Sequence, residues 1–107
     1  MVPERRRENR IKTHIVSKII NLELDYYHYV YIENMSTTGI GIVSIEPLQE
    51  GMTLRADFFL PGTTQRITPK ATVVHSSNRD ALFYSGLAFD SINDEQLESL
   101  RSFIKSA

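Results

Sequence analysis

The feature that most limits what this chain can fold into is its rhythm. From Thr13 to Phe89, short β-type segments alternate with clusters of turn residues. Residues 13–24 carry Ile15, Val16, Ile19, Ile20, Leu22 and Leu24, enough for one long or bent strand that Asp25 ends. Residues 27–35 set Tyr27, Tyr29 and Tyr31 on one face and Val30 and Ile32 on the other. A polar break over 34–39 precedes a third strand over 40–45, and residues 47–51 form the next loop. In residues 53–60, Leu54, Ala56, Phe58 and Leu60 share a face. Pro61-Gly62-Thr63-Thr64 suits a hairpin turn, with proline presetting φ and glycine accepting the left-handed position. Strands over 65–76 and 83–89 complete the series.

Only the tail reads as helix, over residues 93–106. Asn93 can cap it, Gln96 stands three residues later as in a capping box, and Asp94 and Glu95 favour a helix N-terminus. Leu97, Leu100 and Ile104 recur at helical spacing with Phe103 beside them, a stripe that should pack on the β structure. About six strands joined by short turns would leave exposed edges if laid flat, and closure removes them. The expected fold is therefore mainly β: a six-stranded antiparallel β-barrel with a C-terminal α-helix and an N-terminal arginine arm. A flexible arm over residues 1–12 and one barrel domain over 13–107 are the expected divisions.

Composition narrows the function classes. A length of 107 residues suits one domain, and 41% hydrophobic residues is too many for a disordered chain. With no cysteine there are no disulfides, thiolate metal sites or cysteine nucleophiles. No apolar run approaches the roughly 18 residues of a membrane span. Met1-Val2-Pro3 runs straight into Glu4-Arg5-Arg6-Arg7-Glu8-Asn9-Arg10, without the apolar stretch of a signal peptide. A cytoplasmic domain without membrane insertion is expected. Arg5, Arg6, Arg7, Arg10 and Lys12 against Glu4 and Glu8 leave residues 1–12 at +3, while seven basic and eleven acidic residues leave the remainder at −4. An acidic body with a short basic arm suits a small anionic ligand better than a long polyanion.

Catalytic chemistry is missing. His14, His28 and His75 are scattered over different strands and form no H-x-x-x-H pair, so no metal site is expected. There is no G-x-S-x-G elbow, and Gly39-Ile40-Gly41 precedes a strand where a phosphate-cradling loop would precede a helix. Neither an enzyme nor a bound cofactor is expected.

Two features remain. Arg6 and Arg10 are spaced R-x-x-x-R, flanked by Arg5 and Arg7, and Asn34-Met35-Ser36-Thr37-Thr38-Gly39 lies between two strands. Arginine meets a guanine O6/N7 edge with two parallel hydrogen bonds, grips phosphate bidentately and stacks on aromatic planes. Asn34 offers an acceptor and a donor, Ser36 a hydroxyl that does either, and Gly39 permits a tight turn or close approach. These groups suit a guanine nucleotide bearing phosphates. Taken singly, an arginine-rich start is a solvated tail and an Asn-x-Ser-x-x-Gly segment a turn bonded to its own backbone.

In this order and at this interval the two motifs resemble those of the PilZ domain family, bacterial receptors for cyclic di-GMP. That family carries R-x-x-x-R near its start and [D/N]-x-[S/A]-x-x-G some 20–30 residues later. Glu4-Arg5-Arg6-Arg7 is similar to its run into the first motif, Gly86-Leu87-Ala88-Phe89 to its last strand, and the helix to its ending. The resemblance implies a barrel on which the arm and the strand-to-strand turn clasp the dinucleotide. By position, Arg6 and Arg10 would hold guanine edges and phosphates, Asn34 and Ser36 would contact guanine or phosphate from the barrel side, and Gly39 would keep the turn tight. Arg5 stands where the family sets whether one or two nucleotides bind, and a second arginine there favours a stacked pair. Asn34 has one acceptor oxygen where aspartate has two, which points to a modest affinity.

The arm has almost no apolar anchor, so it is expected to be mobile in the free protein and fixed by ligand, altering the surface offered to a downstream protein partner. A monomer or weak dimer is expected. One alternative is an adaptor that binds protein without nucleotide. Another is a barrel for single-stranded nucleic acid that stacks bases on Tyr27, Tyr29 and Tyr31, against which stand the acidic body and the simpler reading of those tyrosines as barrel packing.

Overall fold

The computed structural model of the protein describes residues 10–107. In chain order its elements are β1 (Ile11–Asn21), β2 (Tyr26–Met35), β3 (Gly39–Ser44), β4 (Thr53–Phe59), β5 (Arg66–Ile67), β6 (Lys70–Arg79), β7 (Leu82–Ser91) and α1 (Asp94–Ser106). The strands bond in the order β1-β2-β3-β7-β6-β4-β5, and β1 also pairs with β4. Six strands thus close into an antiparallel ring, with the two-residue β5 attached to β4. This is the expected barrel with one short strand added.

The addition has a local cause. The segment expected as one strand over 65–76 breaks at Thr68-Pro69, because proline has no N–H to give a ladder. The break is bonded all the same: Ala56 N donates to Pro69 O at 3.0 Å, and Arg55 Nη1 donates to Thr68 O at 2.9 Å. A second difference lies at the end of β1. The expected strand ran to Leu24, but Asn21 Oδ1 accepts from the backbone N–H groups of Glu23 and Leu24, both at 2.9 Å. That side-chain-capped turn, with Asp25 at φ 56°, ends β1 early and leaves Leu22 and Leu24 exposed.

The ring encloses Ile19, Val30, Ile32, Ile42, Leu54, Ala56, Phe58, Ala71, Val73 and Leu87, all buried. Leu48 of the β3–β4 loop and Leu100 and Ile104 of α1 join the same core. Tyr27, Tyr29 and Tyr31 lie on the outside, between 48% and 61% exposed, so barrel packing is not their role. The cap of α1 is as expected, Asn93 Oδ1 accepting from Glu95 N at 2.8 Å and Gln96 N at 3.1 Å. Gln96 bonds elsewhere than in a capping box: its Oε1 accepts from Thr68 N at 2.7 Å, tying the helix to the proline break. No helix among the described residues is long and apolar enough to cross a membrane.

Candidate functional site

Alternation along β2 would send Asn34 inward with Val30 and Ile32. The register forbids it. Ile32 pairs with Ile42 of β3, yet Asn34 pairs with Gly41, so Glu33 is an extra residue and the strand bulges. The slip reverses parity beyond it, turning Met35 into the core at 0% exposure and Asn34 to the outer surface. On the other flank Lys12 pairs with Asn34, which brings the entry to β1 alongside. There Arg10 Nη1 donates to Asn34 Oδ1.

Asn34 is one end of a transverse row. It faces Gly41 of β3, Gly41 faces Gly86 of β7, and Gly86 faces His75 of β6. A Cβ on Gly41 would lie 2.6 Å from Asn34 Nδ2, and one on Gly86 would lie 2.5 Å from His75 Nε2. The two glycines leave a strip of bare backbone across which the Asn34 amide and the His75 ring lie. A cavity of about 340 Å³ opens over this strip, with Arg10, Asn34, His75, Arg79 and Tyr84 among its walls. Among the described residues on its lining, Glu33 is the one carboxylate against two arginines, a balance that favours anions.

The other candidate residues are placed differently. Ser36 is fully buried. Its Oγ accepts from Thr38 N at 3.1 Å and donates to Gly39 O at 3.4 Å, while its backbone N–H donates to Gly39 O at 2.9 Å. The serine therefore holds the corner between β2 and β3, outside the cavity lining. Gly39 sits where a Cβ would come 2.2 Å from Leu87 O, and Phe89 N donates to Thr38 O at 2.8 Å, so the corner is pinned to β7. Arg5 and Arg6 lie outside the described residues. The structure thus joins Arg10 to Asn34 and places Ser36 and Gly39 behind them. Sequence reasoning missed Gly41, Gly86, His75, Arg79 and Tyr84; a glycine inside each of two strands was the available signal, since such glycines mark close approach to backbone.

A larger groove, about 750 Å³, runs between Leu60, Thr63 and Gln65 and the helix residues Glu95, Glu98 and Phe103. Among the described residues its lining holds two carboxylates and no lysine or arginine, the wrong field for an anion.

A small closed antiparallel barrel, capped by a helix and carrying an arginine–asparagine cleft on its outer wall, is the class these observations define. The PilZ domain model matches residues 4–106, and the chain belongs to the PilZ domain family. Among solved structures, an inhibitor of motility from Bacillus subtilis (MotI/DgrA) is 23% identical with a TM-score of 0.84, over 97% of this chain and 51% of that one. This chain therefore spans about half the length of that protein. The PilZ domain of YcgR from Escherichia coli, solved with c-di-GMP, is 20% identical with a TM-score of 0.76, over 96% of this chain and 91% of that one. A PilZ-domain protein from Xanthomonas campestris described as a tetramer assembled through a helical bundle is 15% identical with a TM-score of 0.60, over 77% and 46% of the two chains. No curated protein matches by sequence.

Proposed function

We propose that this protein is a receptor for cyclic di-GMP, clasped between the arginine arm and the outer wall of the barrel. The observation that carries the reading is the meeting of Arg10 with Asn34. They are the inner ends of two motifs 24 residues apart in the chain, and they meet at the edge of a cavity walled by cations and floored by bare backbone. Membership of the PilZ family and the c-di-GMP in the E. coli YcgR domain support the choice of ligand.

In this reading the ligand's two phosphates lie with Arg6 and Arg10, and a guanine takes hydrogen bonds from Asn34 and an arginine fork. Arg10 already occupies Asn34 Oδ1, so the nucleotide enters by exchanging that bond for its own. Binding holds the arm against the barrel and changes the outer surface that a downstream protein meets. Ser36 and Gly39 serve by fixing the corner from which Asn34 projects.

Calorimetric titration with cyclic di-GMP tests the proposal. The expected result is saturable binding that Arg10→Ala weakens about tenfold or more, through loss of charge-assisted hydrogen bonds, and that Asn34→Ala weakens about tenfold, through loss of its contacts to the base. Hydrogen exchange over residues 1–10 should slow on saturation. A flat titration with folded protein overturns the receptor reading and favours a ligand-independent adaptor.

A further inference from the structure

Beyond the two motifs, the cavity has a third polar wall. One step along the barrel from the glycine row runs a second transverse row, in which Tyr31 pairs with Val43, Val43 with Tyr84, and Tyr84 with Ser77. Tyr84 and Gly86 are two apart on β7 and so share the outer face. The guanidinium carbon of Arg79, two residues past Ser77 on β6, sits 3.9 Å from the centre of the Tyr84 ring. Arg79 and Tyr84 both line the cavity.

An exposed arginine at a hairpin tip ordinarily samples many rotamers and is neutralised by a neighbouring carboxylate. Arg79 is placed differently. Its guanidinium sits over the Tyr84 ring, and no residue among those described makes an ion pair or hydrogen bond with it. Its five N–H donors are thus preorganised at the cavity rim and unengaged by the described residues. They lie on the β6–β7 side of the Gly41–Gly86 strip, with Arg10 and Asn34 on the β1–β2 side.

We infer that Arg79, positioned by Tyr84, is a ligand-contacting residue of this site, gripping the dinucleotide from the side opposite Arg10 through a guanine O6/N7 edge or a phosphate. The inference rests on the receptor reading and adds a third point of attachment outside both motifs. A cation stacked on an aromatic ring keeps one edge free for two parallel hydrogen bonds, the geometry that both acceptors share.

The test is titration of Arg79→Ala, Arg79→Lys and Tyr84→Ala with cyclic di-GMP and with cyclic di-AMP, alongside thermal melts. Arg79→Ala should lower affinity for cyclic di-GMP about tenfold or more while the melting temperature stays within a few degrees of wild type. Arg79→Lys should recover only part of that loss, because a point charge replaces a fork. Tyr84→Ala should also weaken binding, by freeing the arginine. A loss confined to the guanine ligand identifies the base edge, and an equal loss for both ligands identifies phosphate; either supports the inference. Wild-type binding that Arg79→Ala leaves unchanged overturns it while the receptor reading stands. Wild type that binds neither dinucleotide overturns both. Arg101→Ala, on the helix surface beside Glu98, is the control expected to leave affinity unchanged.

Discussion

Asn34, Gly39 and Gly41 show how three residues within eight positions do different work. At Gly41 the atoms nearest an added methyl all belong to the amide end of the Asn34 side chain, 2.6 Å away at Nδ2. At Gly39 it meets backbone, 2.2 Å from Leu87 O, which cannot move without shifting β7. Gly41→Ala should therefore leave the melting temperature nearly unchanged and weaken nucleotide binding by displacing Asn34. Gly39→Ala should destabilise the fold by about 1–3 kcal/mol, the usual cost of overpacking. Denaturant melts and titrations on the two variants check the contrast, and equal loss of stability in both would contradict it. Arg10 and Asn34 could be singled out from sequence because each sits in a spaced motif. His75, Arg79 and Tyr84 could not, since they reach the cavity only through cross-strand register, which no local pattern encodes.

Among elements, β5 is the least self-sufficient. Its two residues are held to β4 by a short ladder and by Arg66, whose Nε and Nη2 donate to the two oxygens of Asp57 at 2.9 and 2.7 Å. Those hydrogen bonds hold the Asp57 carboxyl below its ordinary range, against the opposing pull of partial burial. A carboxyl whose folded value is depressed adds stability above its unfolded value, and that addition disappears as pH falls through the folded one. Wild type should exceed Asp57→Asn in stability by less than about 1 kcal/mol at neutral pH, because Arg66 is largely solvated. The gap should close below about pH 4, the ordinary aspartate range. Denaturant melts at several pH values measure it, and a gap that persists in acid would refute the assignment. The existence of most strands was legible in alternation, but their ends were not. Pro69 divided one segment, the Asn21 side chain stopped another, and the Glu33 bulge reversed the parity that alternation predicts for Asn34. Each is a choice between local bonding and pattern, and local bonding won.

At the scale of the molecule, ring, β3–β4 loop and helix share one core: Phe58 and Ile67, Leu48 and Leu100 belong to a single cluster. Closure between β1 and β4 joins elements more than thirty residues apart, so no part retains its burial if another leaves. Unfolding should therefore be one cooperative transition. Far-UV circular dichroism and the emission of the five tyrosines, in a chain without tryptophan, should give coincident denaturation curves. Separate midpoints would show that the helix melts independently. The barrel itself was foreseeable from the number of strands and the need to hide their edges. Which strands distant in the chain lie side by side was not, for nothing local announces that β3 pairs with β7 or that β1 closes on β4.

The Asn-x-Ser-x-x-Gly segment threads the barrel wall: Asn34 faces outward, Met35 points into the core, and Ser36 is sealed in the corner behind them. A defective variant at Ser36 would thus mix a collapsed corner with a missing grip. Asn34 is the position in this segment where an exchange interrogates recognition by itself.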